Sequence, residues 1–200
     1  MSTRGLATLR QFAAQPVPEE HCEFCALPLS SQHQHLVDPE ARRIVCTCDA
    51  CAILFPSTGE TRFRRVPRNA RALTSFYLSD LQWNSFGIPV GMAFFFFSSQ
   101  AQRVVAFYPS PAGPAESPLD LREWDDLVEA NPTLATMLPD VEALLVNRLH
   151  GARDYFLAPI DRCYELTGLI RRNWQGFSGG EEAWAAIGDF FTRLHGEAHA

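Results

Sequence analysis

The sequence predicts an α+β protein, in which a small N-terminal four-cysteine zinc-ribbon-like module precedes an antiparallel sheet covered by helices. Five cysteines fall between Cys22 and Cys51. In the rest of the chain, apolar β-rich runs alternate with amphipathic helical segments. Hydrophobic residues make up 46% of the 200 positions, which is enough for a substantial core.

Three segments with different patterns divide the chain. Residues 1–20 are predicted to form an N-terminal helix or tail, because apolar side chains recur there at helical spacing before a proline-rich stretch. Residues 21–66 contain the cysteines and form the predicted four-cysteine metal-binding module. Pro67 marks its end, and residues 67–200 form the predicted α+β body.

Within the module, the stretch between the two outer cysteine pairs reads ALPLSSQHQHLVDPEARRIV. Its length suits a strand, a turn and a second strand, and DPEARR supplies the turn. Cys46 falls on the second of these strands.

The body is predicted to contain two antiparallel hairpins. VGMAFFFF and RVVAFYP form the first around SSQAQ, and VEALLVNRL and DYFLAPI form the second around HGAR. The Pro-rich segment PSPAGPAESP is predicted to be a loop that follows the first hairpin.

Three helices complete the predicted body. LDLREWDDLVEA has an apolar face and an acidic face, the latter carrying Glu123, Asp125, Asp126 and Glu129 toward solvent. Asp161 is expected to cap the amphipathic segment RCYELTGLIRRNW, in which Cys163 is a small core residue. The last helix is predicted from Glu181 to His195.

The cysteine spacing C-x2-C-x20-C-x-C-x2-C indicates a metal site. Each C-x2-C turn can present both of its sulfurs to one ion, so we predict Cys22, Cys25, Cys48 and Cys51 as the ligands. Cys46 is the alternative third ligand, since its shorter gap from the first pair fits a ribbon.

Zinc is the predicted ion, because four thiolates in a tetrahedron suit it and the site then has no open position. Iron at the same thiolates is the alternative and would give a rubredoxin-like electron carrier or an iron–sulfur centre. Because the cysteine quartet is complete, His33 and His35 are expected to have surface or packing roles.

Composition and charge disfavour several functions. The formal net charge of −6 and a pI near 5.5 imply no bulk attraction to nucleic acid. A cluster of arginines at the end of the module and just beyond it still keeps nucleic-acid binding as an alternative; it comprises Arg62, Arg64, Arg65, Arg68 and Arg71. All 17 basic residues are Arg, which excludes chemistry that needs a Lys amine.

We expect a cytoplasmic protein. The first twenty residues lack the apolar core of a signal peptide, and the most apolar window, from Gly87 to Phe97, is too short for a membrane span. We find no Gly-rich phosphate loop and no other catalytic motif in the sequence.

The chain resembles a bacterial family of unknown function whose genes accompany those of nickel–iron uptake hydrogenases. The resemblance rests on CEFCALPL, CTCDACAILF, Trp83 to Ser99, RVVAFYPSPAG and PIDRCYELTGLIRRNW. It implies an accessory role in hydrogenase maturation, assembly or electron transfer, with a hydrogenase subunit or maturation factor as partner. It supplies no catalytic residues.

We therefore expect a non-enzymatic accessory or assembly factor with a structural zinc site and a partner-binding α+β body. A rubredoxin-like one-electron carrier, with iron at the same four cysteines, is the first alternative. A nucleic-acid-binding zinc ribbon is the second.

Overall fold

A computed structural model describes residues 19–59, 61–117, 122–176 and 178–198. These residues form nine strands and five α-helices, which confirms the α+β class. The N-terminal helix that the sequence predicts lies outside the described residues. No helix in the described part of the chain is long and apolar enough to cross a membrane.

The cysteine-rich module is a three-stranded antiparallel sheet. Its strands lie in the order β2-β1-β3, and the predicted strand, turn and strand are present as β1 and β2. The elements are β1 (Gln34–Asp38), β2 (Arg43–Thr47), the short helix α1 (Asp49–Ala52) and β3 (Arg64–Arg65).

A buried carboxylate holds the turn between β1 and β2. Asp38, only 1% exposed, accepts a hydrogen bond from the backbone N–H of Ala41 at 3.1 Å and one from Arg62 Nε at 3.3 Å. Both interactions favour the ionised form, so the pKa of Asp38 lies below its usual value, with the Ala41 amide as the larger cause.

The body contains a six-stranded antiparallel sheet in the order β4-β9-β8-β5-β6-β7. The two predicted hairpins are its centre, as the pairs β5–β6 and β8–β9. The strands are β4 (Arg71–Ala72), β5 (Met92–Ser98), β6 (Arg103–Ser110), β7 (Gly113–Glu116), β8 (Glu142–Asn147) and β9 (Asp154–Pro159).

The Pro-rich segment is not the plain loop that its composition predicts. Residues Gly113–Glu116 fold back on β6, with Phe107 opposite Glu116 and Ser110 opposite Gly113. β7 is an edge strand, and an edge tolerates the missing N–H of Pro114. Composition was a poor guide here because pairing depends on a neighbouring strand.

Helices cover both faces of the sheet. The helices of the body are α2 (Asp80–Ser85), α3 (Arg122–Ala130), α4 (Ile160–Asn173) and α5 (Gly180–Ala198). Strand alternation separates two cores: Phe94 belongs to the cluster beneath α4 and α5, and Phe95 to the cluster beneath α2 and α3. Trp124 and Leu127 of α3 are buried as predicted, and Cys163 is fully buried in α4.

The start of α4 differs from the prediction. The helix begins at Ile160, and Asp161 lies in its first turn without capping it. Its carboxylate accepts hydrogen bonds from the Arg162 backbone N–H at 2.8 Å and from His35 Nδ1 at 2.7 Å. Asp161 thus connects α4 to strand β1 of the module.

Side chains of β1 contact the small core of the module and one of the two cores of the body. Leu36 packs with Val45 inside the module, whereas Val37 belongs to the body cluster that contains Phe94. An ion pair between Arg64 and Asp140 also joins the two parts. The division at residue 66 stays a prediction.

Candidate metal centre

The first cysteine pair lies in a tight turn. The backbone N–H of Cys22 donates to the Leu27 carbonyl, and the N–H of Ala26 donates to the Cys22 carbonyl, both at 2.8 Å. Ala26 has a φ of +57°, in the left-handed region that closes such turns. The turn places Cys22 and Cys25 next to each other.

The second pair lies where strand β2 passes into helix α1. Cys48 has extended backbone angles and precedes the helix, and its carbonyl accepts from the Ala52 N–H at 2.9 Å. Residues three apart on a helical turn are neighbours on its surface. Cys51 therefore lies beside Cys48.

Glu23 holds the two turns together. Its backbone N–H donates to the Cys46 carbonyl at 3.0 Å, and its carboxylate accepts from the Cys46 N–H at 3.0 Å and from Arg43 at 2.6 Å. The first turn is thus hydrogen bonded to the strand that leads into the second.

The structure brings the four predicted cysteines together. Their sulfur atoms all lie within 4.8 Å of one another, and the Sγ atoms of Cys25 and Cys48 are 3.7 Å apart. Four sulfurs at about 2.3 Å from a central ion and at tetrahedral angles lie about 3.8 Å apart. A disulfide has an S–S distance of about 2.05 Å. The group therefore has the spacing of a four-thiolate metal site.

The four thiols differ in environment. Cys22 and Cys48 are buried, Cys51 is half-buried and Cys25 is exposed. Burial opposes the ionisation of Cys22, but hydrogen bonds from neighbouring backbone groups lower its pKa to about 6. The adjacent Cys48 thiol raises the pKa of Cys51 to about 12. A bound cation would favour the thiolate form of its cysteine ligands by offsetting their negative charge.

Apolar side chains surround the cysteine turns. The rings of Phe24, Phe55 and Phe63 contact one another with centroids 5.2 to 5.5 Å apart. Four large apolar side chains on these turns are also exposed: Phe24 by 43%, Leu27 by 54%, Ile53 by 72% and Leu54 by 75%. We call these four the knuckle surface.

Cys46 does not join the quartet and lies in a second group. Its Sγ and one ring nitrogen each of His33 and His35 lie within 4.8 Å of one another. The sequence suggested only surface or packing roles for these imidazoles. The signal that could have found the group is the strand register, which places His35 directly opposite Cys46 on the neighbouring strand.

The arginine cluster at the end of the module is largely neutralised. Four of its five members lie in ion pairs with carboxylates: Arg62 with Asp38, Arg64 with Asp140, Arg68 with Asp49, and Arg71 with Glu142. These pairs leave little of the cluster's charge to attract a phosphate backbone.

A cavity of about 370 Å³ lies between the module and the body. Its floor is apolar and includes Ile44, Phe96 and Phe107, and its rim includes Arg42 and Arg103. None of the five clustered cysteines lines it. The cavity therefore belongs to the joint between the two parts and not to either cysteine group.

Comparison with known proteins gives one match. The model of a family of unknown function, DUF5947, matches residues 21–198, which include every cysteine and the whole of both sheets. No curated protein and no solved structure matches the chain. Because the match covers most of its length, the chain belongs to the family of unknown function DUF5947.

Proposed function

We propose that this protein is a non-enzymatic accessory factor, in which Cys22, Cys25, Cys48 and Cys51 hold a structural zinc ion next to a partner-binding surface. The observation that carries the proposal is the sulfur spacing: 3.7 Å between Cys25 and Cys48 against about 3.8 Å for tetrahedral zinc. Four protein ligands leave no position for a substrate.

A structural role fits the small size of the module. Among the described residues, its own buried cluster contains only Leu36, Val45 and Ala52, with partly buried Phe55 and Phe63 packed against it. So small an apolar core supplies little stabilisation, and modules of this kind commonly fold only when their metal is bound.

The knuckle surface supports partner binding. Single exposed apolar side chains are ordinary, but here four adjoin one pair of metal-binding turns. A protein that covered Ile53 and Leu54 would bury side chains that are now about three-quarters exposed. The resemblance to a family encoded with nickel–iron hydrogenases makes a hydrogenase subunit or maturation factor the proposed partner.

Metal analysis with a visible spectrum tests the metal. Protein purified anaerobically should be colourless before and after mild oxidation, and it should carry zinc at the quartet that Cys25→Ser removes. A protein that turns red on oxidation and bleaches on reduction would instead show iron at the quartet and an electron carrier. Cys25 favours that second candidate function, because an exposed ligand gives an electron partner close access.

A genetic experiment tests the partner. In a host that carries both this gene and a nickel–iron hydrogenase, deletion of the gene should lower hydrogenase activity, and the wild-type gene should restore it. The double variant Ile53→Glu, Leu54→Glu should keep zinc but fail to restore activity. Leu81→Glu is the matched control, since Leu81 is 81% exposed on the body. Full activity after deletion would contradict the hydrogenase role, and full restoration by the double variant would contradict the surface.

Nucleic-acid binding remains the weaker alternative. It predicts salt-sensitive retention on a DNA or RNA column that weakens when Arg64 and Arg65 are replaced by Gln. Because Arg64 lies in an ion pair, we expect no such retention.

A further inference from the structure

The second cysteine group has the geometry of a binding site in its own right. His35 and Cys46 are directly opposite on β1 and β2, so their side chains lie on the same face of the sheet. His33 lies two residues before His35, and the two imidazole centroids are 4.6 Å apart. Three donor atoms that metals bind therefore lie within 4.8 Å of one another.

His33 provides an independent observation that points to a ligand. Its side chain is 7% exposed, and its Nε2 is buried without a hydrogen-bond partner among the described residues. Its Nδ1 lies 2.9 Å from the Ser30 carbonyl, which can only accept, so Nδ1 carries the proton. In the neutral imidazole, Nε2 then has a lone pair that no group in the described part of the chain satisfies. A buried polar atom without a partner costs about 1–3 kcal/mol.

His35 is oriented in the manner of a metal ligand. Its Nδ1 donates to the Asp161 carboxylate at 2.7 Å, which leaves Nε2 as the ring nitrogen with a lone pair. Metal-binding histidines almost always donate their second ring N–H to a carboxylate or a carbonyl. Both imidazoles meet this condition, since His35 donates to the Asp161 carboxylate and His33 donates to the Ser30 carbonyl.

We infer that His33, His35 and Cys46 form a second metal site, which binds a zinc-type divalent transition-metal ion through two imidazole nitrogens and one thiolate. Nitrogen and sulfur donors suit this class of ion and not Mg²⁺ or Ca²⁺. Binding displaces the thiol proton of Cys46. Three protein ligands leave a fourth position for water or an outside ligand, unlike the closed quartet.

The site connects the module to the body. His35 and Cys46 belong to the module sheet, and Asp161 belongs to α4 of the body. An ion bound here would fix the orientation of β1 against α4 through the His35–Asp161 hydrogen bond. Occupancy of this site would therefore stiffen the joint, whereas the quartet acts within the module alone.

Zinc binding by the full-length protein tests the inference. After gel filtration from excess zinc, wild type should carry two ions per chain. Cys46→Ser and His33→Gln should each carry one, and the remaining ion shows that the variant is folded. His150→Asn, at an exposed histidine with φ +51° that Asn tolerates, should keep two. The inference would be overturned if wild type carried one ion and Cys46→Ser retained it. It would also be overturned if both site variants carried two ions.

Two further variants separate the sites. Cys25→Ser should remove the quartet ion and, because the module depends on that ion to fold, should lower zinc binding at the second site too, whereas His33→Gln should leave the quartet ion in place. Asp161→Asn should weaken the second site about 10- to 100-fold without touching the first. An unchanged affinity in Asp161→Asn would contradict the positioning role of this carboxylate. Cobalt in place of zinc should show a thiolate absorption that Cys46→Ser reduces.

Discussion

The module and the body of this protein are stabilised in different ways. The body buries Phe94, Phe95 and Phe156 completely, on a six-stranded sheet with helices on both faces. Among the described residues, the module's own apolar cluster has three buried members, Leu36, Val45 and Ala52, and four thiols meet at its cysteine turns. Hydrophobic burial suffices for the body, whereas we propose that the module depends on a bound ion and on its contacts with the body.

Loss of the quartet ion should have the largest effect, and it should be confined to the module. Cys22→Ala removes a buried ligand, and apparent zinc-binding energies of about 10 to 16 kcal/mol in zinc-finger peptides are also folding energies. We expect residues 21–66 to lose hydrogen-exchange protection while β5, β8 and β9 keep theirs.

Cys163→Ala is the control for that experiment, because Cys163 is buried in α4 and belongs to the body core. It should retain the module's protection and its ion. Equal protection of the module in Cys22→Ala and wild type would show that the module folds without the quartet.

Truncation of a core residue in the body should destabilise the body and leave the ion of the module in place. Phe94→Ala leaves a cavity beneath α4 and α5, and such changes cost about 3–5 kcal/mol. Denaturant unfolding should show this loss, whereas the zinc content of the folded protein should not change. Leu81→Ala, at an exposed position, should lie within about 0.5 kcal/mol of wild type. A loss of zinc in Phe94→Ala would show that metal binding by the module depends on the packing of the body core.

Breaking the ion pair that joins the module to the body should give a smaller loss of stability, and both parts should share it. Arg64 and Asp140 are 13% and 5% exposed, so Arg64→Met leaves a buried carboxylate without its cation. We expect about 3 kcal/mol of destabilisation. The double variant with Asp140→Asn should lose less than the sum of the single variants, as a double-mutant cycle measures. Strict additivity would mean that the pair contributes nothing to the joint.

The smallest effect should come from the surface ion pair between the first cysteine turn and the start of strand β2. Glu23 and Arg43 are 39% and 49% exposed, and exposed pairs contribute about 0.2–1 kcal/mol. Glu23→Gln should lower the midpoint of module unfolding slightly and leave zinc stoichiometry unchanged. A loss of the ion in Glu23→Gln would show that this carboxylate holds the first turn in place for binding.

Local pattern was sufficient for most of the fold. The β-rich runs VGMAFFFF and RVVAFYP predicted the central hairpin, and amphipathic patterns predicted α3 and α4. The C-x2-C spacings predicted which four thiols meet, because each turn fixes its own pair of sulfurs. These features depend on neighbours in the sequence.

Long-range contacts produced the differences. Asp161 looked like a helix cap but bonds to His35, 126 residues away, and Arg64 looked like part of a basic cluster but pairs with Asp140, 76 residues away. The group of His33, His35 and Cys46 depends on the register of two strands. None of these contacts can be predicted from the local spacing or the composition of the sequence.

Zinc K-edge X-ray absorption of the Cys46→Ser variant tests the central claim most directly, since that variant should carry only the quartet ion. We predict four sulfur neighbours at about 2.3 Å and no nitrogen or oxygen ligand. A shell with imidazole nitrogen, or with fewer than four sulfurs, would contradict the assignment of Cys22, Cys25, Cys48 and Cys51 as the ligands of one structural ion.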